Sequence, residues 1–260
     1  MPGEMRADKR LGQHFLRDHR IIAGIVELID PAENEAILEI GPGHGALSMA
    51  LLEKRPFLVT LEKDFELALM LKSQCPSVHM VAMDALRFPW ERLCGGSWKI
   101  VGNLPYNVAS PIIWEMAART TAFSRAVFMV QKEVALRLTA APGGKSYGAL
   151  SVWVQSFVAP RLAFNVAPGA FWPRPKVDSA VVLFEPLKEK LFFDSLKLAF
   201  LVKYCFQGRR KQLGNLLKSL INNGIINYLE SCGHSLRSRP EELSPVQFQR
   251  LSLIIDSYGA

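Results

Sequence analysis

The 260-residue chain has little cysteine. Its four cysteines, Cys75, Cys94, Cys205 and Cys232, lie far apart and form no C-x-x-C pair. That argues against a metal cluster and suits reduced thiols in a cytoplasmic protein. No window of about 20 residues is free of charge and polarity, so no membrane span is expected. The opening MPGEMRADKRLGQHF lacks the apolar core of a secretory signal. Internal repeats and low-complexity tracts are missing too. Acids are the scarcer charge: 24 Asp and Glu face 31 Lys and Arg, a net charge of +7. A basic excess favours a polyanionic partner such as nucleic acid, although charge alone leaves a merely soluble basic protein open. Apolar residues make up 49% of the chain, enough for a sizeable core.

Short apolar runs alternate with helical patterns through the first half. Asp18 is placed to cap a helix to about Ile29, with Ile21, Ile22, Ile25, Val26 and Ile29 on its inner face. Strands are expected at 36–40, 57–62, 78–84, 98–103 and 125–131, with helices at 46–54, 64–73 and about 111–118. This alternation implies βαβ units and a mostly parallel sheet. Residues 158–167 and 177–185 read as two further strands with no helix between them, so they should pair antiparallel at a sheet edge. After Pro186 the strands stop, and 191–206, 209–222, 225–232 and 245–257 read as helices. In the second of these Leu213, Leu216, Leu217, Leu220 and Ile221 share a face. The expected division is an α/β domain over 1–187 and a small helical domain over 188–260.

LEIGPGHGALS (38–48) follows a strand and opens a helix. Glycines at such a turn let the backbone approach a ligand closely. Gly41, Gly43 and Ala46 also satisfy the dinucleotide pattern G-x-G-x-x-G/A, so a nicotinamide enzyme stays open at this point. Glu62 ends the second strand, where a carboxylate can accept both hydroxyls of a ribose. Asp84 ends the third and is followed by Ala85; a carboxylate there can accept from an adenine amine. Together they outline an adenosine pocket at the carboxyl ends of consecutive strands.

GNLPYNVAS (102–110) lies just after the fourth strand. The lone pair of an adenine N6 is delocalised into its ring, so it is a poor nucleophile. Two acceptors that hold both N6 hydrogens can localise the pair toward a methyl sulfonium. The Asn103 side-chain oxygen and the Leu104 carbonyl suit that task, Pro105 stiffens the turn, and Tyr106 offers a face to a flipped-out base. The sulfonium carries its own leaving group, so neither a metal nor a covalent nucleophile is required. In AFWPRPKVDSAVV (170–182), Phe171 or Trp172 could meet the other face of the base, and Arg174 and Lys176 could meet phosphates.

At these motifs the chain resembles the ribosomal RNA adenine N6,N6-dimethyltransferase family, in the branch that modifies the small subunit. RLGQHFL (10–16), EIGPGHGALS, the Glu62 strand end, DAL (84–86), NLPYNVASP (103–111), QKEVALRL (131–138), YGALSVWVQ (147–155), FWPRPKVDSAVV (171–182) and RRKQLGNLL (209–217) run in family order. The resemblance implies a Rossmann-like class I S-adenosylmethionine-dependent methyltransferase sheet with a small all-helical C-terminal domain. It implies S-adenosylmethionine as cofactor, S-adenosylhomocysteine as product and no metal. His14 and Leu16 would contact or cover the methionine side, Gly41 and Gly43 would approach through their backbone, and Glu62 would take the ribose. Asp84 and Ala85 would take the cofactor adenine, with Asn103 bordering cofactor and base. Asn103, Leu104, Pro105 and Tyr106 would hold the target base, with Phe171 on its far side. Position 14 departs from the family, whose usual residue there is Asn.

The implied substrate is a pair of adjacent adenosines in the 3′-terminal hairpin of 16S rRNA, each dimethylated within the 30S particle by a cytoplasmic monomer. From Ser195 to Leu229 there are six basic residues and no acid. Arg209, Arg210 and Lys211 oppose the dipole at an expected helix start, a cost that an RNA phosphate would offset. Two other functions fit the same motifs less well: a non-catalytic ribosome assembly factor, and a large-subunit adenine methyltransferase of the macrolide-resistance type.

Overall fold

The computed structural model describes residues 13–94, 96–120, 122–189, 191–208 and 211–255. In chain order these form β1 (Phe15–Leu16), α1 (His19–Ile29), β2 (Ala36–Ile40), α2 (Ala46–Leu52), β3 (Phe57–Glu62), α3 (Phe65–Gln74) and β4 (His79–Ala82). There follow β5 (Trp98–Asn103), α4 (Ala109–Arg119), β6 (Phe123–Gln131), α5 (Lys132–Leu138), α6 (Ala149–Gln155), β7 (Val158–Val166), β8 (Phe171–Trp172) and β9 (Ser179–Pro186). The last helices are α7 (Ser195–Phe206), α8 (Leu213–Leu216), α9 (Asn223–Ser231) and α10 (Pro245–Ile254).

Seven strands make one sheet in the order β4-β3-β2-β5-β6-β9-β7. β4 through β6 in that order run parallel, and β9 is antiparallel to β6. β2 and β3 are buried runs, Ile37, Leu38, Ile40, Leu58 and Leu61 among them, as strands covered on both faces require. The chain moves outward from β2 to β3 and β4, then returns to lay β5 on the other side of β2. The reversal opens a crevice at the carboxyl ends of β2 and β5. The opposite end is closed: the buried Lys99 of β5 pairs with Glu35 at 2.8 Å and also bonds the Asp30 carbonyl.

Asp18 caps α1 as its position implies, accepting from the amides of Arg20 and Ile21 at 2.9 and 3.4 Å. Such caps contribute about 1 kcal/mol. Ile22, Ile25 and Ile29 are buried, while Ile21 and Val26 are only partly so.

The chain divides into two compact units: residues to Ala135 with Pro160–Pro186, and Leu136–Ala159 with Leu187 onward. Leu136–Ala159 thus groups with the residues after Pro186, where the sequence pattern suggests a single linear boundary near 187. In the second unit α6 is fastened by the Ser151 hydroxyl on the Arg137 carbonyl and by the Gln155 amide on the carbonyls of Leu138 and Ala140. α7 and α10 pack against α6.

The single helix expected over 209–222 is corrected. Only Leu213–Leu216 is helical, and Arg209 and Arg210 lie outside the described residues. The amides of Leu213 and Gly214 donate to the carbonyls of Ser238 and Leu236, which fixes where that turn starts. Asn222, in an extended conformation, caps α9 by accepting from the Ile225 amide at 2.9 Å, which ends any continuation. Leu213, Leu216 and Leu217 are buried, whereas Leu220 and Ile221 are only partly so.

Candidate active site

A cleft enclosing roughly 990 Å³, open solvent at its mouth included, lies at the carboxyl ends of β2, β3 and β5. His14, Leu16, Gly41, Gly43, Glu62, Asp84, Asn103, Leu104, Pro105 and Tyr106 all line it, so most of the expected site residues meet in one place.

The glycine turn after β2 is shaped by close approach. Gly43 has φ +55°, and a Cβ there would stand 2.9 Å from the Phe15 ring. Gly41 has φ +66° and donates to the Leu61 carbonyl at 2.8 Å. Both conformations strain any residue with a side chain. Glu62, almost wholly buried, accepts from the amides of Gly43 at 3.1 Å and Asp64 at 2.9 Å. Burial pushes its carboxyl up, and those two donors partly restrain the rise. A carboxylate has about four lone-pair positions, so room remains for hydroxyl donors.

Asp84 is held differently. Its Oδ1 accepts from the Leu86 amide at 3.0 Å, and its Oδ2 meets the Lys63 ammonium at 2.9 Å. The hydrogen bond from Lys63 is the main reason its carboxyl lies below the usual range. Ala85 is buried in the turn behind Asp84 and is not among the cleft-lining residues.

Two further residues of this side escape the sequence expectations. Glu39, inside β2, lines the cleft although almost fully buried, and accepts from the Ser48 hydroxyl at 2.6 Å. Burial, opposed by Ser48 and reinforced by the charge of Glu62, pushes its carboxyl up to about 7. The signal was an acid inside an otherwise apolar strand. His44 lines the cleft edge-on to the Phe15 ring, 4.2 Å between centroids. Its buried Nε2 has no hydrogen-bond partner among the described residues, and burial holds its ring below the usual histidine range.

The other side of the cleft is the turn after β5. The Asn103 side-chain nitrogen donates to the His14 carbonyl at 2.7 Å, which leaves the amide oxygen as the acceptor end. The Leu104 amide donates to the Met129 carbonyl at 3.1 Å, and the Pro105 carbonyl accepts from the Val108 amide, closing the turn before α4. The Tyr106 hydroxyl shares a hydrogen bond with the fully buried Ser179 hydroxyl of β9. Burial raises the Tyr106 phenol and the Ser179 bond works against it. His14 Nδ1 lies 2.7 Å from the Pro173 carbonyl. A carbonyl only accepts, so Nδ1 carries the proton. The His14 ring sits 5.3 Å from that of Tyr106, tilted by 33°. The backbone carbonyl of residue 14 thus ties the β1 approach to the turn after β5, and its imidazole ties it to the loop after β8. Ser179 is a contact the sequence does not announce, since its partner lies 73 residues away.

Phe171 is not brought to the cleft. It pairs with Leu16 in the ribbon of β1 and β8 and is buried in the core with Ile22, Ile25 and Leu183. Antiparallel pairing turns that residue inward. Arg174 and Lys176 are exposed beyond it, as phosphate contacts would need, and Lys211 is exposed in the second unit.

Five parallel strands in this order, an antiparallel strand beside the fifth, and a cleft at the central reversal define a class I S-adenosylmethionine-dependent methyltransferase fold. Two solved structures share it over nearly their whole length. A dimethyladenosine transferase from Plasmodium falciparum superposes with a TM-score of 0.76 at 23% identity, covering 93% of this chain and 99% of that one. The 23S rRNA methyltransferase ErmE superposes with a TM-score of 0.71 at 25% identity, covering 94% and 100%. Residues 4–256 match the family model for ribosomal RNA adenine dimethylase. The ribosomal RNA small subunit methyltransferase A of Maridesulfovibrio salexigens is 53% identical over 249 residues, 95% of this chain and 94% of that protein. The protein of the same description from Lawsonia intracellularis is 49% identical over 261 residues, 97% and 95% of the two chains. The chain belongs to the ribosomal RNA adenine dimethylase family.

Proposed function

We propose that the chain dimethylates N6 of two adjacent adenosines in the 3′-terminal hairpin of small-subunit rRNA, within the 30S particle, using S-adenosylmethionine. Its similarity to two small-subunit methyltransferases over nearly their full length supports the substrate. One observation carries the chemistry: the Asn103 amide nitrogen is engaged by His14 inside the cleft, so its oxygen is the end available to accept an amine hydrogen.

The cleft suits the cofactor by its acceptors. It is lined by three acids, Glu39, Glu62 and Asp84, which suits a ligand carrying a sulfonium, an ammonium, ribose hydroxyls and an adenine amine. Glu62 would hold the ribose, Asp84 the adenine, and the Gly41 and Gly43 backbone would admit the methionine end beneath His14 and Leu16. Bound there, S-adenosylmethionine supplies a methyl group on an excellent leaving group. The chain's own part is to place the acceptor. Asn103 Oδ1 and the Leu104 carbonyl accept the two N6 hydrogens and turn the lone pair outward, while the Tyr106 ring supports the base. On each transfer the nitrogen that gains a methyl releases one proton to water, so after the first the amine keeps a single hydrogen and must rotate for the second. The first unit is read as catalytic. Arg174 and Lys176 there, and Lys211 with Arg209 and Arg210 in the helical part, are read as RNA contacts. The enzyme is read as a cytoplasmic monomer.

Incubation with labelled cofactor and either immature 30S or immature 50S particles tests the assignment. Label should enter 30S RNA as dimethyladenosine. Label confined to 50S RNA, or no transfer to either, would overturn it.

A further inference from the structure

The ribbon of β1 and β8 sorts its side chains onto two faces. Residues paired across an antiparallel ladder share a face, so Leu16 lies with Phe171 and Phe15 with Trp172. The first pair belongs to the core. In the second pair Phe15, itself buried, lines the cleft as Leu16 does, while Trp172 is half-buried. Arg17, two residues past Phe15, is exposed and sets its guanidinium carbon 5.0 Å from the centre of the Trp172 ring. The next residue, Pro173, binds His14, which in turn binds Asn103. A planar cation laid on an indole therefore stands two hydrogen bonds away from the base-holding turn, with exposed Arg174 and Lys176 just beyond.

We propose that Arg17 and Trp172 form a stacking site for the RNA nucleotide that adjoins the target adenosine. This rests on the reading of the chain as an rRNA adenine dimethylase. Drawing a base out for chemistry breaks its stack with the neighbour, which then needs another surface. Aromatic faces and guanidinium planes take unstacked bases whatever their identity, and a guanidinium also offsets phosphate charge. With two adjacent adenosines modified, the neighbour is itself a substrate. Stacking on Arg17 and Trp172 keeps it beside the cleft while its partner occupies the Asn103–Tyr106 turn. Phe171 is buried in the core, whereas Trp172, one residue on, is half-buried and carries the Arg17 guanidinium.

Methyl transfer to 30S particles lacking the modification, at saturating cofactor, tests the site. Trp172→Leu and Arg17→Ala should each raise the KM for particles about tenfold, the scale of one lost base stack. The cofactor dissociation constant should stay within about twofold of wild type. Trp172→Phe keeps a π face and should restore most of the affinity. Arg17→Lys keeps the charge without the plane and should resemble Arg17→Ala. Wild-type KM in Trp172→Leu, or in Arg17→Lys, would overturn the proposal. If Trp172→Leu does not fold, the two Arg17 variants at their exposed position decide. Failure of the wild-type protein to methylate any particle would instead sink the functional reading, so the two failures are distinct.

Discussion

The two sides of the cleft are held by opposite means. On the side proposed to hold the cofactor, Glu62 is fixed by Asp64 and Gly43 and Asp84 by Leu86 and Lys63, groups close in sequence or on the next strand end. On the side proposed to hold the base, the fastenings span the chain. Asn103 reaches His14 across 89 residues, Tyr106 reaches Ser179 across 73, and His14 reaches Pro173 across 159. The first side is built into the sheet's own edge. The second is assembled only when β1, β9 and the loop after β8 are all in place. Binding of cofactor and presentation of the base should therefore be separable by mutation.

The largest separation is expected at Asn103. Asn103→Ala removes one of two acceptors for the amine and should lower methyl transfer by about 10²–10³-fold, the scale for losing one oriented polar contact to a reacting group. RNA binding should be largely intact. Near-normal turnover in this variant would show that the amine is held elsewhere.

A smaller effect tests whether the base side is one assembly. Ser179→Ala and Tyr106→Phe remove the two ends of a single hydrogen bond without removing the aromatic face. Each should reduce kcat about tenfold, with little change in cofactor affinity, and the double variant should be no worse than either single. Multiplying losses in the double variant would mean that the hydroxyls act separately.

The same contrast explains what could be read in the sequence. The bounds of β2, β3 and β5 coincide with the expected 36–40, 57–62 and 98–103, because apolar runs end at turns and at charged residues. The meeting of Gly41, Gly43, Glu62 and Asp84 in one cleft was legible because they sit at those strand ends. Ser179 was not, since only folding brings it to Tyr106. Phe171 was read as an aromatic beside the base; its place in the core goes with pairing to β1, more than 150 residues earlier. YGALSVWVQ contains a helix, α6, that a short apolar run alone does not distinguish from a strand. The 209–222 pattern failed for another reason: its leucine spacing is helical, but the Asn222 cap and contacts to 236 and 238 interrupt it.

The smallest predicted effect concerns the electrostatic cost of the buried acid Glu39. Glu39 is nearly enclosed, and its carboxyl is pushed from 4.5 to about 7 by burial. Its folded value lies above the unfolded one, so between those two the native protein keeps a proton that the unfolded chain has released. The stability from that proton is complete below about 4.5 and is lost as pH rises through about 7. Asp84 runs the other way: Lys63 holds its carboxyl low, so its contribution is present above the ordinary aspartate range and lost on acidification. Glu39→Gln removes the first titration while keeping a partner for Ser48. Between pH 5 and 8 the wild-type Tm should fall relative to this variant by on the order of 5 °C, and cofactor-free protein should show it most clearly. Tyr106→Phe, on the other side, should leave that difference intact. A wild-type Tm falling no faster than that of Glu39→Gln would mean that the buried acid is already compensated, and that the two sides of the cleft differ in sequence distance but not in electrostatic cost.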